Sequence, residues 1–129
     1  MLYVVDTHSL IWFLTEDKKL GKNALKVLED ADKGKHIIII PTIVLAEFAY
    51  ICEKRNLKIK FEDILKKLKE SFNYIPYNLD LDTIIRSLKL ERLKDIHDRL
   101  IVAVANILNA KIITKDKSID QSGYVSCVW

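Results

Sequence analysis

Short, wholly apolar runs alternate with longer stretches of helical periodicity along most of the chain. Leu2–Val5 reads as a first strand, cut off by Asp6. Ser9–Leu14 reads as a short apolar helix. Lys22–Lys33, with Ala24, Leu25, Val27, Leu28 and Ala31 at amphipathic spacing, reads as a second helix closed by Gly34. Ile37–Ile40 is an unbroken run of isoleucine, apolar on both faces of a strand. Such a strand belongs in the middle of a parallel sheet covered on both sides. Pro41-Thr42 opens a helix running to about Lys54. Phe61–Phe72 is a lysine-rich amphipathic helix with Ile64, Leu65 and Leu68 turned inward. Tyr74–Tyr77 is a third strand, Leu79–Leu90 an amphipathic helix and His97–Ala110 an alanine-rich helix suited to tight packing on a sheet. Lys111–Thr114 and Tyr124–Cys127 complete the set as strands. Strands alternating with helices predict βαβ units. The expected fold is a three-layer α/β/α sandwich around a mostly parallel five-stranded sheet, with residues 1–129 forming one domain.

Composition narrows this picture slightly. Half of the 129 residues are apolar, enough for one core, and a net charge of +3 permits a polyanionic partner without demanding one. Cys52 and Cys127 lack metal-finger spacing and read as reduced thiols, pointing to the cytoplasm. No signal peptide is visible, and no apolar run is long enough to span a membrane.

Most acidic residues lie on helical polar faces, but Asp6, Glu47, Asp98 and Asp116 do not. Asp6 follows the first strand, where ligands bind in open parallel sheets, although an aspartate there also caps the next helix well. Glu47 lies within Ile43-Val44-Leu45-Ala46-Glu47-Phe48-Ala49-Tyr50-Ile51-Cys52. Burial there is expensive without a partner, unless the helix keeps a narrow wet stripe. Asp98 opens a buried helix, where the helix dipole alone favours an acid. Asp116 stands just past the fourth strand, where a turn aspartate is ordinary. In right-handed crossovers helices run antiparallel to the strands, so all four acids fall at the carboxyl edge of the sheet. Converging carboxylates repel one another and call for a cation. Oxygen-only ligation suits Mg²⁺ or Mn²⁺ with several waters retained.

Four segments resemble the motifs of PIN-domain nucleases, in particular the VapC-type toxins of toxin–antitoxin pairs. They are Val5-Asp6-Thr7-His8-Ser9-Leu10-Ile11-Trp12-Phe13-Leu14, Pro41-Thr42-Ile43-Val44-Leu45-Ala46-Glu47, Ile96-His97-Asp98-Arg99-Leu100-Ile101-Val102-Ala103-Val104-Ala105 and Ile113-Thr114-Lys115-Asp116. The resemblance implies cleavage of single-stranded RNA with Mg²⁺ or Mn²⁺, Asp6 and Asp98 as main metal ligands, and Glu47 and Asp116 completing the site. It implies a homodimer restrained by a cognate antitoxin, with Phe48, Tyr50 and Ile51 as candidate contacts. Thr114 is expected to bond to the acidic cluster. Arg99, Lys115 and Lys117 could hold phosphates, or be ordinary surface cations. Trp12, Tyr74 and Tyr77 offer rings for bases, though core packing is the plainer reading of each. His8 and His97 are read as supporting the acids rather than as general bases.

Competing readings fit less well. A phosphoacceptor receiver domain needs an aspartate after the third strand, where Ile75-Pro76-Tyr77-Asn78 has none. A haloacid-dehalogenase-type phosphatase needs an acid two residues after Asp6, and His8 occupies that place. A non-catalytic PIN-like module for RNA binding or interaction stays open, as does a DNA-cutting enzyme with the same acids.

Overall fold

Consecutive buried residues along the inner strands mean that both faces of the sheet are covered. In the computed structural model, which describes residues 1–129, Val4 and Val5 are buried together, as are Ile38, Ile39 and Ile40. The elements in chain order are β1 (Leu2–Val5), α1 (Thr7–Leu14), α2 (Lys22–Asp32), β2 (Ile37–Pro41), α3 (Thr42–Arg55) and α4 (Phe61–Glu70). There follow β3 (Tyr74–Tyr77), α5 (Leu81–Ser87), α6 (Ile96–Leu108), β4 (Lys111–Ile113), α7 (Lys117–Gln121) and β5 (Cys127–Val128).

The strands form one sheet in the order β3-β2-β1-β4-β5, and every pairing is parallel. The expectation of a mostly parallel sheet thus becomes an all-parallel one in an α/β sandwich. Pro76 is tolerated because β3 is an edge strand, where its missing N–H leaves no partner unpaired. The chain steps outward from β1 through β2 to β3, then returns to the other side of β1 as β4. Strand order therefore reverses between β1 and β4, and such a reversal opens a crevice at the carboxyl ends of the two strands. Asn56 and Asn109 end α3 and α6 in the left-handed conformation, which asparagine tolerates better than most residues.

Several elements depart from the sequence reading. α5 starts at Leu81 because Asp80 accepts hydrogen bonds from the Thr83 N–H at 2.9 Å and the Thr83 hydroxyl at 2.7 Å. It ends at Ser87, and tight turns carry the chain to Leu90. Its burial is also inverted. Thr83 and Ser87 face inward, while Leu81, Ile84, Ile85 and Leu88 are exposed. Leu65 likewise points outward, leaving Ile64 as the buried anchor of α4. The last strand comes later than expected, because Tyr124 is held by hydrogen bonds outside the sheet. Its carbonyl accepts from Asn106 Nδ2 at 2.8 Å and its hydroxyl from the Arg92 N–H at 3.2 Å. The short helix α7 was not foreseen. The two thiols are free and half-buried, and burial pushes Cys127 up to about 11.

Candidate metal centre

Each of the four acids is placed by a local feature of the fold. Asp6 caps α1, its Oδ1 accepting from the Ser9 N–H at 3.0 Å. The Ser9 hydroxyl donates to the Ile113 carbonyl at 3.1 Å, tying the start of α1 to the end of β4. Asp116 caps α7, its Oδ1 accepting from the Ser118 N–H at 2.8 Å and the Ser118 hydroxyl at 2.7 Å. Asp98 lies in the first turn of α6, whose cap is Asp95. Glu47 projects from α3, and its Oε1 accepts from the buried Thr7 hydroxyl at 2.9 Å. Two β-strand ends and two helices thus deliver four half-buried carboxylates into one cleft of about 590 Å³ at the switch point. The cleft wall also includes Asp95, His8, His97, Lys115, Lys117 and Trp12.

The electrostatics follow from this crowding. Asp98 is pushed up to about 6, first by burial and then by the charges of Asp116, Asp95, Asp6 and Glu47. His97 Nδ1 lies 3.8 Å from Glu47 Oε2 and 3.7 Å from Asp95 Oδ1. No three His, Cys, Asp or Glu side chains stand close enough to close around an ion as placed. An ion of the Mg²⁺ class does not need such a cage, since it takes one or two carboxylates and keeps several waters. The caps use one oxygen each of Asp6 and Asp116, and no hydrogen bond contributes to the Asp98 shift. The donor set is therefore oxygen-only, electron-rich and in part uncommitted, which fits a hard divalent cation.

The neighbours expected to assist are sorted by the fold. Lys115 and Lys117 line the cleft, and neither forms an ion pair with Asp116 between them. Arg99 does not reach the cleft: its Nε donates to the Leu93 carbonyl at 2.6 Å and its Nη2 to the Glu91 carbonyl at 3.5 Å. It braces the loop before α6. Thr114 is buried and accepts from the Asp116 N–H at 3.1 Å, so it meets the backbone of the cluster rather than a carboxylate. Of the residues suggested for partner contact, Phe48 is fully buried, while Tyr50 is exposed and Ile51 lines a neighbouring groove. Tyr74 is buried, with its hydroxyl on Asp32 at 2.5 Å. Sequence reasoning did not single out Thr7, Ser118 or Asp95. The signal for Asp95 was its place three residues before Asp98, as helix caps stand. Nothing in the sequence pairs Thr7 with Glu47 across forty positions.

Comparison with known proteins agrees with the architecture. The chain is similar to the VapBC2 structure from Rickettsia felis bound to a promoter DNA fragment, with a TM-score of 0.72 and 20% identity over 99% of this chain and 98% of that one. It is similar to a toxin–antitoxin complex from Klebsiella pneumoniae, with a TM-score of 0.73 and 21% identity over 98% and 96% of the two chains. FitAcB from Neisseria gonorrhoeae gives a TM-score of 0.67 and 14% identity over 98% and 96%. No curated protein matches the chain significantly in sequence. The sequence profile of the PIN domain matches residues 3–123, and the chain therefore belongs to the PIN domain family.

Proposed function

We propose that this protein is a metal-dependent endoribonuclease that hydrolyses single-stranded RNA, acting as the toxin of a toxin–antitoxin pair. The observation that carries the reading is the meeting of Asp6, Glu47, Asp98 and Asp116 in one cleft at the sheet's switch point. Asp6 and Asp98 would hold Mg²⁺ or Mn²⁺, with Glu47 and Asp116 completing its surroundings. When bound, the ion supplies charge stabilisation at the phosphate and activates water for attack. The chain's own residues arrange the rest. Thr7 fixes the orientation of Glu47, Ser9 and Ser118 fix Asp6 and Asp116, and Lys115 and Lys117 offer cations to flanking phosphates.

Incubation of purified protein with a pool of cellular RNAs, in Mg²⁺, Mn²⁺ or chelator, tests this directly. New 5′ ends should appear with either ion and vanish with chelator. Asp6→Asn or Asp98→Asn should abolish them while leaving the circular dichroism spectrum intact. Wild-type cutting by either variant would refute the assignment.

One observation favours a second reading, a non-catalytic RNA-binding or interaction module. Asp6 and Asp116 already serve as helix caps, and that role alone would keep them in place. In that case RNA would be retained without new ends, whatever the ion.

The proposed partners are an antitoxin and a second copy of the chain. The similar toxin–antitoxin complex from Klebsiella pneumoniae supports the first. The outward aliphatic face of α5 supports a protein interface, and a homodimer is the simplest occupant. No helix is long and apolar enough to cross a membrane. The free thiols of Cys52 and Cys127 support a cytoplasmic location as part of this proposal. Co-expression with a small DNA-binding protein encoded beside it should suppress cleavage, if that protein is the antitoxin.

A further inference from the structure

The acidic cleft contains a large aromatic ring that its proposed chemistry does not use. Trp12 is half-buried and lines the wall of the cleft, where Ile101 is the other apolar side chain. A large ring in an otherwise polar, charged cavity needs a physical reason. Core packing supplies part of it, since Trp12 packs against the hydrophobic core. It does not explain the part of the ring that faces the acids.

The surroundings of the ring point to a ligand. Trp129 meets it edge-on, with centroids 5.9 Å apart and planes at 67°, and His8 lies 5.6 Å away at 49°. Trp129 is itself held against Gly21, where a Cβ would come within 2.7 Å of its backbone and ring. The tryptophan is thus braced on one side. Two ammonium groups, of Lys19 and Lys115, each lie 5.9 Å from its centroid. Lys115 and Lys117 are exposed, and neither is paired with a carboxylate in the cleft. Trp12 and His8 also line a neighbouring groove of about 710 Å³, whose wall carries Lys19, Arg55 and Lys58 together with Glu16, Asp17 and Asp63. A strand with one phosphate at the acids and its next phosphates on Lys115 and Lys117 would therefore run past the ring. An aromatic face beside cations that track a backbone is how single strands are held without sequence readout.

We propose that Trp12 is a stacking platform for a base next to the scissile phosphate, so that the cleft favours RNA whose bases are already unstacked. This rests on the nuclease reading above and adds to it the source of single-strand preference. Trp12 is a positioning residue in this scheme and takes no part in bond breaking.

Two measurements on the full chain test the proposal. In an Asp98→Asn, Trp129→Phe protein, Trp12 is the sole tryptophan and its emission reports on its own environment. A short single-stranded oligoribonucleotide should quench that emission over the concentration range in which anisotropy of the labelled strand shows binding. The same strand with abasic sites should bind without quenching. In the protein with Asp98 intact, Trp12→Leu should raise KM about tenfold for the intact strand with little change in kcat, and Trp12→Phe should restore most of the loss. Its affinity for the abasic strand should match that of wild type, which a merely unfolded variant would not achieve. Binding and cleavage by wild type, together with unquenched emission on binding to the Asp98→Asn, Trp129→Phe protein and a normal KM for Trp12→Leu, would overturn the stacking role and leave the nuclease reading intact. Failure of wild type to bind or cut any RNA would remove both.

Discussion

At the scale of single residues, the decisive quantity is the cost of holding Asp98 charged among other acids. Its folded value of about 6 lies above the ordinary carboxylate range, so the folded state favours its protonated form. The stability this brings is fully present below pH 4 and is lost as pH rises through 6. In chelator, wild type should therefore be less stable at pH 7.5 than Asp98→Asn, by on the order of 1 kcal/mol once solvent screening is allowed for. The difference should shrink as pH is lowered below 6. Urea titrations of both proteins across this range measure it, and a constant gap would contradict the crowding. Thr7 offers a second check at the same scale. Thr7→Val removes the hydroxyl that donates to Glu47 at 2.9 Å while keeping a β-branched shape. The expected loss is about 1 kcal/mol of stability, together with a fall in cleavage rate from a misplaced Glu47.

At the scale of elements, what could be read from the sequence divides by the range of the interaction. The strands Leu2–Val5 and Tyr74–Tyr77 were legible to the residue, because short apolar runs bounded by Asp6 and Asn78 leave little choice. The positions of Asp6, Asp98 and Asp116 at strand ends or a helix start were legible for the same reason. Arg99 was not, because its preference for the Leu93 carbonyl depends on how the loop before α6 folds back. Nor was the inversion of α5, since periodicity locates an apolar stripe without saying which partner covers it. The spacing of Leu81, Ile84, Ile85 and Leu88 is that of an inward face, yet all four are exposed and Thr83 and Ser87 are buried. If a second copy covers that stripe, Leu81→Lys with Leu88→Lys should convert a dimer to a monomer in sedimentation velocity without lowering helix content. A monomeric wild type would remove the homodimer from the proposal. Capping of α6 is a separate matter at this scale. Asp95 accepts from the His97 and Asp98 N–H groups at 2.7 and 3.1 Å. Asp95→Ala should cost about 1 kcal/mol, whereas Asp95→Asn keeps a good cap and should cost much less.

At the scale of the whole molecule, the cleft concentrates like charge at one edge of a chain whose net charge is slightly positive. The fold tolerates this because the surrounding core is large: a cluster of 27 buried apolar residues holds β1, β4 and the helices that carry the acids. A divalent cation that binds the folded cleft and not the unfolded chain must raise stability by mass action, by about 2.7 kcal/mol at a hundredfold excess over its dissociation constant. For a domain of this size that amounts to a rise in Tm of roughly 10 °C. Mn²⁺ or Mg²⁺ should produce the rise at pH 7.5 and much less of it at pH 5, where Asp98 is largely protonated and a cation must compete with the proton. Asp98→Asn should lose most of the effect at both pH values. Scanning calorimetry against ion concentration separates this from a general salt effect, because K⁺ at equal ionic strength should leave the Tm nearly unchanged. A Tm indifferent to both divalent ions at pH 7.5 would mean that these carboxylates, although gathered, do not bind a cation, and the hydrolytic reading would fall with them.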